Sequence, residues 1–193
     1  MSDPLRRLAE WYEEAVAAGV QEPNAMALAT ATPDGAPSVR IVLLKGIDER
    51  GAQFFTNYES RKGRELAANP RAAATLYWQP LHRAARLEGA VERLTPEESD
   101  AYFGSRPRGS RLGARASKQG TPLGAYGDLE AAFKAESARF PGEDVPRPEY
   151  WGGFRLVPVA IELWQGMPSR LHDRVHWVRD GVGSPWREGR LSP

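Results

Sequence analysis

Cysteine is absent from the 193-residue sequence, and histidine occurs at only three positions. Without cysteine the chain cannot form a disulfide, use a catalytic thiolate or bind a metal through sulfur. The spacing of His82, His172 and His176 is not typical of a metal site, and no Ser-His-Asp pattern indicates a nucleophile. A metal-dependent or thiol-dependent reaction is therefore not expected.

Long apolar runs and an excess of charge of one sign are missing as well. Lys and Arg number 26 against 25 Asp and Glu, so the net charge of +1 provides no general attraction to nucleic acid. Segment 1–19 is charged throughout, unlike a signal peptide, and no later run is long enough for a transmembrane helix. We expect a cytoplasmic globular protein with neither a nucleic-acid nor a membrane partner.

The order of helix and strand patterns predicts a mainly β protein of the α+β class. Asp3 and Pro4 predict the start of an amphipathic helix, and the capping-box pattern from Thr95 to Glu98 predicts another. About six or seven strands are expected, mostly antiparallel, with helices inserted after the fifth, which favours a β-barrel with helical additions. These expected strands are drawn from eight segments with strand patterns, which lie at 25–31 and 39–44, interpreted as a hairpin of buried strands, and at 53–56, 72–77, 83–94, 154–163, 174–178 and 186–191.

Two groups of side chains in the first third of the chain could bind an anion. Arg40 and Lys45 bracket an apolar strand, and they either bind a ligand or extend into solvent. Thr56 and the run Ser60-Arg61-Lys62 lie where a strand leads into a helix. Backbone N–H groups at such a junction favour an anion, so a phosphate site is plausible there.

Two further groups lie in the second half of the chain. A phenol, two hydroxyls and three guanidinium groups between Tyr102 and Arg111 form either a solvated basic turn or a second phosphate site. Trp164 and the run from Arg170 to Arg174 are either structural or part of a ligand site. Two candidate phosphate sites suggest a phosphorylated cofactor and a phosphorylated substrate.

Six short motifs occur in an order and at spacings typical of one enzyme family: Glu22-Pro23-Asn24-Ala25-Met26, Arg40 to Lys45, Ser60-Arg61-Lys62, Ser105-Arg106-Pro107-Arg108, Trp151-Gly152-Gly153-Phe154 and Arg170-Leu171-His172-Asp173-Arg174. Together they resemble the pyridoxamine 5'-phosphate oxidase family over nearly the whole chain. The resemblance implies a single FMN-binding split-barrel domain over 1–193, with an N-terminal helix at 1–20, barrel strands at 21–94, a helical insertion at 95–140 and the last strands at 150–193. It also implies a homodimer with interfacial active sites.

The resemblance implies oxidation of pyridoxamine or pyridoxine 5'-phosphate to pyridoxal 5'-phosphate, with FMN and O2 and release of H2O2. Arg170 and His172 would be catalytic, over the pyridine ring. The substrate would also contact Lys45, Tyr102, Arg106 and Ser110. FMN would contact Arg40, Ile41, Val42, Leu43, Leu44, Lys45, Phe55, Thr56, Arg61, Lys62, Gln119, Trp164 and Arg174.

Five positions depart from the family pattern, and one of them, Ala85, replaces a larger aliphatic residue. Ala84 replaces a glutamine that reaches the flavin ring, and Gly120 replaces a serine. Arg115 replaces a tryptophan near the flavin, and Phe55 replaces a tyrosine. Each lost hydrogen bond costs about 0.5 to 1.5 kcal/mol, so Ala84 and Gly120 together predict FMN binding that is roughly ten- to a hundredfold weaker.

Two other functions stay open from the sequence. Another FMN or deazaflavin oxidoreductase of the same barrel class, such as a phenazine-pathway oxidase, would act on a different substrate. A non-catalytic flavin or vitamin B6 binding protein is compatible with the altered flavin contacts. The retained substrate-side residues favour the oxidase.

Overall fold

The computed structural model describes residues 3–193, and nine strands and five α-helices lie in that range. The strands pair antiparallel in one sheet that curls into a half-barrel, which confirms the predicted fold class. None of the helices in residues 3–193 is long and apolar enough to cross a membrane. The strands are β1 (Ala25–Ala31), β2 (Pro37–Leu43), β3 (Gly46–Asp48), β4 (Gly51–Asn57), β5 (Arg71–Trp78), β6 (Arg83–Arg93), β7 (Trp151–Gln165), β8 (Asp173–Val178) and β9 (Arg187–Arg190). The helices are α1 (Pro4–Ala17), α2 (Arg61–Ala68), α3 (Pro96–Ser105), α4 (Arg108–Ala116) and α5 (Tyr126–Arg139).

The long strand β7 organises the sheet, whose main order is β2-β1-β5-β6-β7-β4-β3. One edge of β7 pairs with β6, and the other edge is shared between β4 and β8. Phe154 in the first half of β7 lies opposite Phe54, whereas Trp164 in the second half lies opposite Arg174. The residues that pair with β4 and those that pair with β8 therefore lie at opposite ends of β7.

Local signals account for most element boundaries. Asp3 caps α1 by accepting the N–H of Leu5 at 3.0 Å, and Thr95 with Glu98 forms the predicted capping box of α3. The expected count of six or seven strands was too low, since all eight segments with strand patterns contain strands and β3 adds a ninth. No pattern indicated β3, because it has only three residues and is defined by its pairing with β4. The helical insertion consequently follows the sixth strand, and the basic run after Pro107 is the helix α4 rather than a turn.

The prediction that both strands of the first hairpin are buried is wrong for β2. The side chains of Val39 and Ile41 are 69% and 63% exposed, and their β1 partners are the small residues Ala29 and Ala27. We call this surface the outer sheet face, and it also includes Leu43, Ala73 and Tyr77. A contiguous exposed apolar surface on an edge strand is typical of an interaction site.

Candidate functional site

A cleft of about 590 Å³ lies between β2, β4, the start of α2, the end of α3 and the start of α4. It brings together side chains from three of the four groups found in the sequence. Leu44 is buried in the core instead, and Arg61 lies beside the cleft without lining it. The lining residues are Arg40, Ile41, Val42, Leu43, Lys45, Phe55, Thr56, Lys62, Tyr102, Arg106, Pro107, Ser110, Gln119 and Trp151.

Lys62 provides a buried cation at one end of the cleft. Its ammonium group donates to Thr56 Oγ1 at 3.1 Å, Ser60 Oγ at 3.2 Å and Gln119 Oε1 at 3.1 Å. All three acceptors are neutral, and burial, followed by the charge of Arg40, lowers the pKa of Lys62 to about 8. A buried amine with only neutral partners is suited to receive an anion, since a negative charge would favour its protonated form.

A second set of cations surrounds an aromatic stack. The rings of Phe55 and Tyr102 lie 3.8 Å apart, and those of Tyr102 and Trp151 lie 6.2 Å apart and nearly parallel. The guanidinium carbon of Arg106 is 4.7 Å from the Trp151 ring, and Lys45 Nζ is 6.0 Å from the Tyr102 ring. The two cations are therefore positioned over aromatic faces and directed into the cleft.

Arg106 has a free hydrogen-bonding position within the protein. Its Nη1 atom is buried and has no partner among residues 3–193. Burial lowers the pKa of Arg106, although Tyr102 opposes this shift, and arginine stays charged at any ordinary pH. A phosphate oxygen is a natural acceptor for this group, because a buried guanidinium N–H without a partner costs free energy.

Pro107 separates α3 from α4, and only some of the polar side chains around it line the cleft. Tyr102, Arg106 and Ser110 line the cleft. Arg108 instead donates to the carbonyl oxygens of Gly142 and Phe140, at 2.9 and 2.6 Å. The sequence grouped these residues together, and the structure assigns only part of the group to the cleft.

Trp151 lines the cleft although sequence reasoning gave it no role. A Cβ on the next residue, Gly152, would lie 2.0 Å from Tyr58 Oη, and one on Gly153 would lie 2.4 Å from Leu94 Cδ1. The glycines therefore let neighbouring groups approach β7 closely behind Trp151. The Trp-Gly-Gly motif was the signal that could have identified this position.

Trp164, Arg170, His172 and Arg174 form a separate group, here called the C-terminal cluster, and none of them lines the cleft. The rings of Trp164 and His172 lie 4.6 Å apart. His172 Nδ1 accepts the backbone N–H of Met167 at 3.2 Å. Arg174 Nε donates to Glu162 at 2.8 Å.

The loop that carries Arg170 has an unusual backbone. Ser169 and Arg170 have φ values of 56° and 61°, in the left-handed region that non-glycine residues rarely adopt. The side chain of Arg170 is exposed. Backbone strain of this kind is often found where a side chain is held for a ligand.

The positions that depart from the family pattern lie in different places. Ala84 is opposite Trp164, which is opposite Arg174, so these residues form one row on one face of the sheet. Arg115 was expected near the flavin, but its side chain does not line the cleft. It donates to Glu136 at 2.6 Å and lies over the ring of Phe140.

Comparisons with known proteins agree on one family. The family model described as pyridoxamine 5'-phosphate oxidase matches residues 12–139, and the model described as pyridoxine 5'-phosphate oxidase C-terminal dimerisation region matches residues 151–193. The chain is 56% identical to a pyridoxine/pyridoxamine 5'-phosphate oxidase of Rubrobacter xylanophilus, covering 99% of this chain and 87% of the relative. It is also 56% identical to an enzyme of the same name from Burkholderia lata, covering 99% and 89%.

Solved structures extend this likeness. PhzG from Burkholderia lata, crystallised with tetrahydrophenazine-1-carboxylic acid, superposes with a TM-score of 0.94 at 36% identity, covering 100% of this chain and 94% of PhzG. A pyridoxamine 5'-phosphate oxidase-related, FMN-binding protein from Nostoc punctiforme has the same fold, with a TM-score of 0.77 at 18% identity and coverage of 94% of both chains.

Proposed function

Since the chain belongs to the pyridoxamine 5'-phosphate oxidase family, we propose that it oxidises pyridoxamine or pyridoxine 5'-phosphate to pyridoxal 5'-phosphate in vitamin B6 biosynthesis and salvage, with FMN and O2 and release of H2O2. The observation that carries this proposal is the pairing of two cation sets in one cleft. Lys62 and Arg40 belong to one set, and Lys45 and Arg106 belong to the other. Two phosphate groups, one from a cofactor and one from a substrate, fit these sets.

FMN fits the end of the cleft that contains Lys62. The buried ammonium with neutral partners would bind the phosphate, with Arg40 and Arg61 beside it and Thr56 and Gln119 near the ribityl chain. When bound, FMN supplies the two-electron acceptor of the reaction and the site that reacts with O2.

The substrate phosphate fits the second cation set. Arg106 Nη1 has an open hydrogen-bonding position, and Lys45, Tyr102 and Ser110 line the same part of the cleft. These side chains would fix the phosphate and thereby orient the reacting carbon of the substrate, which is how binding energy contributes to rate.

We place the second half of each active site on a partner subunit. The C-terminal cluster does not line the cleft of its own chain, and the outer sheet face exposes the apolar side chains of Val39 and Ile41. The match to a C-terminal dimerisation region supports the same arrangement. In the homodimer, Trp164 and Arg174 would flank the flavin, while Arg170 and His172 Nε2 would contact the substrate ring.

The likeness to PhzG supports a second candidate, a flavin oxidoreductase that acts on a phenazine precursor. The two functions differ in the need for a substrate phosphate. A phenazine precursor has no phosphate to occupy the position beside Arg106, so that position favours the B6 substrate.

The test uses purified protein reconstituted with FMN in air. We expect pyridoxamine 5'-phosphate to yield peroxide together with the absorbance of pyridoxal 5'-phosphate, and Arg106→Ala to raise KM more than it lowers kcat. Turnover of a tetrahydrophenazine carboxylic acid without turnover of the B6 vitamer would favour the second candidate. Flavin binding without either turnover would favour a binding protein.

A further inference from the structure

Glu65 on α2 is a buried carboxylate that the proposed reaction does not use. Its side chain is 5% exposed. Ser38 Oγ donates to its Oε2 atom at 2.6 Å, and Thr30 Oγ1 donates to the same atom. Arg61 Nε donates to its Oε1 atom at 2.8 Å.

Glu65 also contacts the second arginine of the proposed FMN phosphate site. Arg40 Nη2 lies 3.4 Å from Glu65 Oε2, and the same guanidinium group donates to Thr30 Oγ1 at 2.5 Å and to Leu28 O at 3.2 Å. One carboxylate thus connects an arginine of β2 with an arginine of α2, although the two are distant in sequence.

The charge of Glu65 opposes the binding of an anion nearby. Burial raises the pKa of this carboxyl group, but the hydrogen bonds from Ser38, Thr30 and Arg61 outweigh burial and lower it to about 2. The group is therefore negative at any physiological pH. By Coulomb's law alone, removing this charge would strengthen the binding of a phosphate.

We propose that Glu65 is a positioning residue, which orients Arg40 and Arg61 beside Lys62 so that their guanidinium groups are arranged for phosphate before FMN binds. This inference rests on the proposed function, because it takes the anion to be the FMN phosphate. Guanidinium groups that hydrogen bonds already hold in place lose less conformational freedom on binding than free arginine side chains do.

The test compares FMN with riboflavin, which lacks the phosphate. Affinities for apo protein are measured by quenching of flavin fluorescence. We expect Glu65→Gln to weaken FMN binding by roughly tenfold while riboflavin binding changes little. The exposed Glu59, which lies just before the N-cap of the same helix, provides the matched control, and Glu59→Gln should leave FMN binding unchanged or slightly tighter.

The outcomes separate this inference from the proposed function. FMN binding that is unchanged or tighter in Glu65→Gln would overturn the positioning role, as would an equal loss for FMN and riboflavin. If Glu65→Gln does not fold, Ser38→Ala keeps the charge but removes one group that holds both Glu65 and Arg40. An FMN-specific loss in that variant supports the role, and no loss overturns it. If the wild-type protein shows no preference for FMN over riboflavin, the proposed phosphate site itself is wrong.

Discussion

At the scale of single residues, the charge of Lys62 makes ligand binding depend on pH. The side chain is 8% exposed, and burial, followed by the charge of Arg40, lowers its pKa to about 8. A bound phosphate dianion favours the protonated amine, so the pKa of Lys62 is higher in the complex than in the free protein. FMN affinity should therefore be nearly constant around pH 7 and fall as the pH rises through 8, by up to about tenfold per pH unit.

This prediction is checked by fluorescence titrations of apo protein between about pH 7 and about pH 10. Riboflavin serves as the control, since it carries no phosphate to interact with Lys62. A fall of the same size for riboflavin would contradict the assignment of this amine to the phosphate.

Ala84 and Gly120 are predicted to respond differently when the family residues are restored. Ala84 lies in regular β-structure with its side chain partly exposed, so Ala84→Gln should tighten FMN binding by roughly three- to tenfold. Gly120 has a φ of 82°, and a serine there would cost about 1 to 2 kcal/mol, which offsets a new hydrogen bond. Titration of both apo variants with FMN tests this, and equal gains would contradict it.

At the scale of secondary-structure elements, Arg155 of β7 forms ion pairs with residues of β3, β6 and α3. This residue of β7 is 1% exposed and makes ion pairs of 3.0 Å with Asp48, Glu92 and Glu98. Glu98 also closes the capping box of α3, the helix that carries Tyr102. Arg155 therefore connects the position of α3 to the centre of the sheet.

Arg155→Met should lower the free energy of unfolding by about 2 to 3 kcal/mol. This is below the cost of breaking a fully buried ion pair, because the carboxylates are partly exposed. Arg50→Met is the matched control. Arg50 also pairs with Glu98, at 3.1 Å, but its side chain is 52% exposed, so the loss should stay under about 1 kcal/mol. Urea unfolding of both variants would refute the prediction if the losses were equal.

At the scale of the whole molecule, the separation of the cleft from the C-terminal cluster predicts complementation between subunits. Arg106→Ala impairs the cleft, and His172→Ala impairs the C-terminal cluster. In a mixed dimer of the two variants, one of the two active sites has both halves intact. Random mixing should therefore recover about a quarter of the wild-type activity, since heterodimers form about half of the population.

The experiment mixes the two impaired variants, dissociates and reassociates them, and measures peroxide production at a substrate concentration well below the KM of Arg106→Ala, where both variants alone have little activity. Each variant treated alone in the same way is the control. Activity that stays at the level of the single variants would contradict a site shared between subunits, provided that sedimentation shows the mixed protein to be dimeric.

Elements were predictable where the signal is local. The capping box at Thr95 and Glu98, the N-cap at Asp3 and the nearly continuous apolar run of β1 act within a few residues, so the chain order of helices and strands follows from short-range chemistry. Strand β3 was missed because three residues contain no pattern, and α4 was missed because Pro107 and a basic run resemble a turn. The roles assigned to site residues came from family motifs, which record chemistry that local patterns do not contain.

Side chains that are distant in the chain meet only through pairing of the sheet. Lys45, Tyr102 and Gln119 share one cleft because β4 pairs with the first half of β7 and α3 packs beside it. Trp164 lies outside this cleft because it is in the second half of β7, which pairs with β8. Hydrophobicity could not distinguish β2 from a core strand, since an apolar side chain has the same pattern whether it packs within its own chain or is exposed at a surface suited to a partner.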